Sequence, residues 1–175
     1  MTPGVISFEI NIPMRQTMQF EKCFHPNLRG TLGEKKNLRS AGADFFYLCL
    51  DGKPIAETYF ILTDLLAACE GGPEMEETGL ASYIGNDILY VFSLAVLSEY
   101  RGLGYGKILK SYFLGHIVSL TLTLDAMGKQ GVRKIIGHAN QKAMCLNSMF
   151  GAEVICPYHN WYDTGETAYL YEINI

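Results

Sequence analysis

The chain has 175 residues, of which 49% are hydrophobic and only 18% charged, with 14 basic and 18 acidic side chains and a formal charge of −4. A chain of this length buries about 70% of its unfolded surface, so it needs neither disulfides nor a structural metal, and its composition excludes a disordered chain. One domain over residues 1–175 is expected, and the acidic balance argues against a protein that works by neutralising nucleic-acid phosphates.

In chain order, Val5 to Ile12 reads as a strand and Met14 to Cys23 as an amphipathic helix. Glu9 and Pro13 interrupt the first apolar stretch, so no signal-peptide pattern is present and a cytoplasmic protein is expected. His25 to Ala43, with Gly30, Gly33 and Gly42, reads as loop with room for one short helix. Ala43 to Leu50 and Pro54 to Thr63 are apolar strands joined by Asp51-Gly52, a strong hairpin signal. Asp64 to Asn86 is irregular. Ile88 to Leu97 is an apolar strand without alternation, as expected where both faces are covered. It feeds Arg101-Gly102-Leu103-Gly104-Tyr105-Gly106 and then a helix from Gly104 to Met127, ended by Gly128 and Gly131. The run Ile108 to Leu124 inside that helix contains Lys110 and His116 and is too short to span a membrane, so it reads as buried. Val132 to Ala139 is a strand, Gln141 to Phe150 a helix closed by Gly151, and Ala152 to Cys156 a strand. The aromatic loop Pro157 to Gly165 precedes a last strand, Glu166 to Ile173. Early hairpins and late interleaved helices predict an α/β (α+β) fold, with a mixed sheet covered by helices.

The five cysteines, Cys23, Cys49, Cys69, Cys145 and Cys156, form no CxxC pair. They read as reduced, mostly buried thiols, and no metal site is expected. A strand entering a glycine-rich turn at a helix N-terminus makes an anion site, because the first backbone N–H groups have no intrahelical partner. Walker A fails here: Gly102 to Gly106 leaves three intervening residues and Lys107 is followed by Ile108. The dinucleotide fingerprint fails too, because Lys107 stands where its third glycine belongs.

Read as Arg/Gln-x-x-Gly-x-Gly, Arg101 to Gly106 resembles the acyl-CoA pyrophosphate loop of the GNAT superfamily of N-acyltransferases. Leu94-Ala95-Val96 with Ser98, Glu99 and Tyr100 resembles the strand that enters that loop, and Asn140, Ala143 and Gly151 match the spacing on the later helix. The resemblance covers roughly residues 88 to 155. It implies a mostly antiparallel sheet of six to seven strands and acetyl-CoA as acyl donor. It implies that the backbone N–H groups of Gly102, Leu103, Gly104, Tyr105 and Gly106 hold the pyrophosphate, that the backbone of Leu94, Ala95 and Val96 pairs with the pantetheine amides, and that Asn140 reaches the pantetheine arm. Asn140 equally reads as a helix N-cap. Arg101 and Lys107 are candidates to add charge near the phosphates.

Direct attack of an amine on a thioester needs a positioned nucleophile, a proton acceptor, oxyanion stabilisation and a proton donor to the leaving thiolate. No cysteine nucleophile is required; Cys145, on the Asn140 helix, reads as core packing. The family often supplies a thiolate-protonating tyrosine seven residues after the asparagine, where this chain has Asn147. An amide donates a hydrogen bond but is no acid. Ser148, Tyr90 and Tyr112 are the alternatives for that role. For the base the candidates are Glu57, in an apolar strand, Asp87, at the start of the strand leading to the loop, and His138. Glu57 also reads as a solvent-facing residue of a half-exposed strand, and His138 as a packed histidine.

From Pro54 to Tyr100 there are eight carboxylates and no lysine or arginine, whereas Arg15, Lys22, Arg29, Lys35, Lys36 and Arg39 crowd the first forty residues. A negative rim would attract a cationic amine; a solvated acidic loop is the plain alternative. Tyr158, His159, Trp161 and Tyr162 either flank an acceptor groove or cap the core. The expected function is transfer of an acetyl group from acetyl-CoA to a primary amine of a small molecule or peptide. A non-catalytic acyl-CoA-binding protein and a toxin acetylating aminoacyl-tRNA are the competing readings. A homodimer is left open.

Overall fold

The computed structural model describes residues 4–69 and 75–175. Glu70 and Glu74 of the acidic stretch, with Gly71, Gly72 and Pro73, lie outside the described residues. The elements are β1 (Ile6–Ile10), α1 (Met14–Glu21), α2 (Leu32–Ser40), β2 (Asp44–Leu50), β3 (Lys53–Leu62), α3 (Thr63–Ala67), β4 (Ile88–Val96), α4 (Tyr105–Ala126), β5 (Lys134–Asn140), α5 (Gln141–Ser148), β6 (Glu153–Tyr158) and β7 (Ala168–Asn174), joined in places by short 3-10 turns. One seven-stranded sheet runs in the order β1-β2-β3-β4-β5-β7-β6. Every neighbouring pair is antiparallel except β4 and β5. The sheet is therefore mixed and mostly antiparallel, as expected.

The β2–β3 hairpin turns at Asp51 and Gly52, with φ of 51° and 74°. Two successive left-handed residues match the twist of the flanking strands, which explains why Asp-Gly marks the turn. Between His25 and Ala43 the short helix is α2, whose nine residues take up about half of the segment. Its start is a full capping box: Thr31 Oγ1 accepts from Glu34 N at 3.2 Å, and Glu34 Oε2 accepts from Thr31 N at 2.6 Å. The Thr-x-x-Glu spacing outweighed Gly33 as a breaker.

Alternation along the strands divides the core in two. Phe45, Tyr47, Tyr59, Ile61, Tyr90 and Ile136 face α1 and α2, packing with Phe20 and Leu38. Phe46, Phe60, Val91, Ile135 and Tyr171 face α4 and α5, packing with Phe113, Ile117 and Met144. Helices thus cover both faces, which accounts for the continuous apolar run of β4.

The thiols are all free, but only Cys49 is buried; Cys145 is exposed on α5, so its reading as core packing is corrected. Among the described residues no cluster of His, Cys, Asp or Glu is placed to hold a metal. No helix among them is long and apolar enough to cross a membrane.

Candidate active site

The parallel pairing of β4 with β5 runs only from Ile88 opposite Lys134 to Val91 opposite Gly137. Beyond that point β4 continues to Val96 along β3, and β5 continues to Asn140 along β7. The cause is visible in the β3–β4 register, where Tyr59 faces Ser93 and Phe60 faces Val91, leaving Phe92 as one extra residue. Such a bulge bends its strand away from the neighbour. Two strand edges, 92–96 and 138–140, now border a widening cleft, and unpaired edges of this kind are templates for another extended chain. Gly137 sits at the parting point, where a Cβ would stand 2.8 Å from both the Val91 carbonyl and the Tyr171 hydroxyl.

At the open end of the cleft β4 passes into the glycine-rich turn. Gly102 and Gly104 have φ of 77° and 87°, a conformation that costs other residues strain. The backbone N–H groups of Gly102, Leu103, Gly104, Tyr105 and Gly106 find no acceptor among the described residues. They cluster at the N-terminus of the 22-residue helix α4, where the dipole favours an anion. Gly106 lets α4 start close to both walls: its Cβ position lies 3.6 Å from Leu94 and Val96 side chains and 3.7 Å from Leu146. Arg101 Nε donates to the Val96 carbonyl at 2.9 Å, so this side chain ties the turn to the end of β4. Leu103 and Lys107 are exposed beside it.

Asn140, the last residue of β5, caps α5: its Oδ1 accepts from Ala143 N at 3.0 Å while Nδ2 donates to Glu166 at 3.0 Å. The N-cap reading is the one its geometry satisfies.

Deeper in the cleft, Tyr90 of β4 and His138 of β5 meet across the parting strands. His138 Nε2 lies 3.0 Å from the Thr78 carbonyl, which can only accept, so Nε2 carries the proton. Nδ1 then accepts from the Tyr90 hydroxyl at 3.1 Å. Burial lowers His138 to about 4 despite the opposing hydrogen bond to the Thr78 carbonyl, and burial raises the Tyr90 phenol well above its ordinary range. The imidazole is therefore neutral with its lone pair on the tyrosine. Trp161 stacks on it at 4.2 Å and Tyr158 meets its edge at 5.3 Å, so part of the aromatic loop covers this pair. The sequence offered Tyr90 and His138 separately, for different roles; nothing in their 48-residue separation pairs them before the β4–β5 register is known.

The segment after α1 bridges the cleft on this side. The Cys23 thiol donates to the Val96 carbonyl at 3.5 Å on the β4 rim, and Asn27 Nδ2 donates to the Tyr162 and Asp163 carbonyls at 3.3 Å in the β6–β7 loop. Asn160, Tyr162 and Asp163 all have positive φ, so this loop is held in a strained shape.

Glu57 is the β3 register partner of Ala95 on the cleft rim, but it is fully buried rather than solvent-facing, bonded to Lys35 at 2.8 Å under α1 and α2. Asp87 precedes β4 at the end remote from the glycine turn, where it accepts from Gln130 Nε2 at 3.0 Å and its carbonyl accepts from Arg133 N at 2.8 Å. Nine residues of strand, about 30 Å, separate it from the turn. Asn147 is buried on α5. Tyr112 stacks on Phe8 at 3.5 Å against β1, which removes it as a proton donor in the cleft. His159 lies outside the aromatic cluster, 3.2 Å from Thr167 Oγ1.

No protein-family model and no curated protein matches the chain. Solved structures do. The ribosomal-protein-S18-alanine N-acetyltransferase of Escherichia coli is 16% identical, with 98% of this chain and 94% of that one covered and a TM-score of 0.65. Arabidopsis thaliana NAA60, solved in complex with acetyl-CoA, is 17% identical over 98% and 99% of the two chains with a TM-score of 0.66. Arabidopsis thaliana Naa50, solved with a bisubstrate analogue, is 16% identical over 97% and 99%, at a TM-score of 0.65. With the parted β4 and β5 and the open glycine turn, these likenesses give the chain the fold of the GNAT acyl-CoA N-acyltransferases.

Proposed function

We propose that the protein is an N-acetyltransferase that moves an acetyl group from acetyl-CoA to a primary amine of a peptide or small molecule. The observation that carries this reading is the cleft between Phe92–Val96 and His138–Asn140, ending at a turn with five unused N–H donors. An extended pantetheine arm supplies the amide groups such an edge lacks, and its pyrophosphate suits the turn. The fit supports acetyl-CoA over a nucleotide triphosphate, since Ile108 stands where a magnesium-binding hydroxyl is needed.

In this reading the amine enters from the side bridged by Asn27 and attacks the thioester carbonyl directly. Tyr90 and His138 take its proton: as the phenol accepts from the amine or an intervening water, its own proton moves to His138 Nδ1 along the existing hydrogen bond. Trp161 and Tyr158 keep bulk water off the imidazole. The exposed Glu76 and Glu77 favour a cationic acceptor.

Calorimetric titration with acetyl-CoA tests the shared premise, and absence of binding at high micromolar ligand would remove it. Thiol release across a panel of peptides and small amines then tests turnover. A second reading, an acyl-CoA-binding protein without turnover, is favoured by the amide of Asn147 where a proton donor is needed; binding without thiol release from any amine would select it.

A further inference from the structure

Lys110 stands one helical turn after Gly106, on the same face of α4. A Cβ at Gly106 would point at the Leu94, Val96 and Leu146 side chains, so this face looks into the space between the free edge of β4 and α5. Lys110 is only 2% exposed. Its Nζ lies 5.6 Å from the ring centres of Phe113 and Tyr171, and no carboxylate or hydrogen-bond acceptor engages it among the described residues. Tyr171 in turn places its hydroxyl against Gly137, where β4 and β5 part. The other buried lysine, Lys35, has two carboxylates. An ammonium beside two rings and without a carboxylate partner is an uncommon arrangement, and a leucine or methionine would fill the same place.

We propose that Lys110 is the proton donor to the sulfur that leaves when acetyl-CoA is consumed, the role Asn147 cannot fill. This inference rests on the acetyl-CoA reading above. As the amine nitrogen bonds to the carbonyl carbon, the C–S bond breaks and sulfur keeps its electron pair. Sulfur takes a proton from the Lys110 ammonium, giving the CoA thiol and a neutral lysine. The amine's proton stays on the Tyr90–His138 pair until the products leave, and the opened cleft then lets solvent take it up and return one to Lys110. Burial also lowers Lys110 to about 8, which makes its ammonium a better acid near neutral pH than an exposed lysine.

The test uses CoA itself, whose thiolate is read by its ultraviolet absorbance as pH is raised, and therefore needs no acceptor. Bound to the wild-type protein, the thiol titrates below its value in free CoA, as expected beside a positive charge, but not below about 8, where Lys110 would no longer pass it a proton. In Lys110→Met that depression disappears, acetyl-CoA affinity is kept and turnover of any accepted amine falls. A bound thiol that titrates in the wild-type protein as in free CoA, or identically in both proteins, overturns the role of Lys110 and leaves the acetyl-CoA reading intact. Acetylation of Lys110 itself, seen by mass spectrometry after incubation with acetyl-CoA, overturns it as well, since the amine would then attack rather than donate. Failure of the wild-type protein to bind CoA overturns both readings.

Discussion

Lys35 and Glu57 meet at 2.8 Å where neither side chain reaches water, and Glu21 approaches the same ammonium at 2.6 Å. Glu21 also accepts from Gly30 N at 2.6 Å, so this cluster ties the α1–α2 connection to β3. Two carboxylates share one ammonium, and burial pushes Glu57 up to about 7 against the pull of Lys35. Lys35→Met strands both negative charges and is expected to cost about 3–5 kcal/mol in denaturant unfolding. Glu57→Gln leaves a one-to-one pair and is expected to cost less than about 1 kcal/mol at pH 8. The folded carboxyl holds its proton longer than the unfolded one, so Glu57 withdraws stability as pH rises from 4.5 to about 7. The Gln variant flattens the stability profile across that window.

Gly104 opens α4 with φ of 87°, and a Cβ there meets nothing within 4 Å. Gly104→Val therefore suffers backbone strain of about 1–3 kcal/mol, without a clash in the free protein. Its side chain would occupy the approach to the N–H groups of the turn. Acetyl-CoA binding is expected to fall by far more than stability does; an affinity equal to wild type would place the anion site elsewhere.

Removing either member of the Tyr90–His138 pair should slow turnover without loosening acetyl-CoA. Tyr90→Phe and His138→Gln are each expected to lower kcat about 100- to 10,000-fold, the usual weight of a positioned proton acceptor. The double variant should be little worse than either single one, because the two act in series. His138 also stabilises the fold in its neutral form: stability it contributes above 6.5 is lost as pH falls toward about 4, and His138→Gln removes that acid-side slope.

Asn27 holds the carbonyls of Tyr162 and Asp163. Asn27→Ala releases the β6–β7 loop from the segment after α1, at a cost of about 0.5–1.5 kcal/mol. The expected signature is a raised KM for the amine with kcat and acetyl-CoA affinity nearly unchanged. Asn140→Ala behaves differently: it removes a cap worth about 0.5–2 kcal/mol and is expected to lower thermal stability and protection of the Ala143 amide from exchange.

Much of the architecture is legible in the chain because it is encoded locally. Asp51-Gly52, the glycines at 102 and 104, and Asn140 before α5 each fix their own turn or cap through neighbouring residues. The helix α2 was legible too, through Thr31 and Glu34, but Gly33 between them spoke for a loop. What sequence does not reveal is side-chain partnership across strands. Glu57 reads as a surface or catalytic carboxylate until α2 is known to bring Lys35 onto it, and Asp87 reads as a candidate base until its bond to Gln130 at the far end of β4 is seen. Lys110 sits in an apolar run where spacing alone marks a buried helix and says nothing of what its ammonium faces.

The short β4–β5 pairing makes the sheet two half-sheets, β1 to β4 and β5 to β7, joined by a seam of four residue pairs from Ile88 to Val91. A ligand that lies in the cleft as an extra strand lengthens that seam, so it acts as a structural member of the sheet as well as a reactant. Occupancy and cohesion are then linked: by mass action a ligand at a hundred times its Kd adds about 2.7 kcal/mol to stability. Amide exchange along His138–Asn140 and Phe92–Val96 should slow first when the ligand binds, and after each release of product the molecule should return to its looser, two-leaf form.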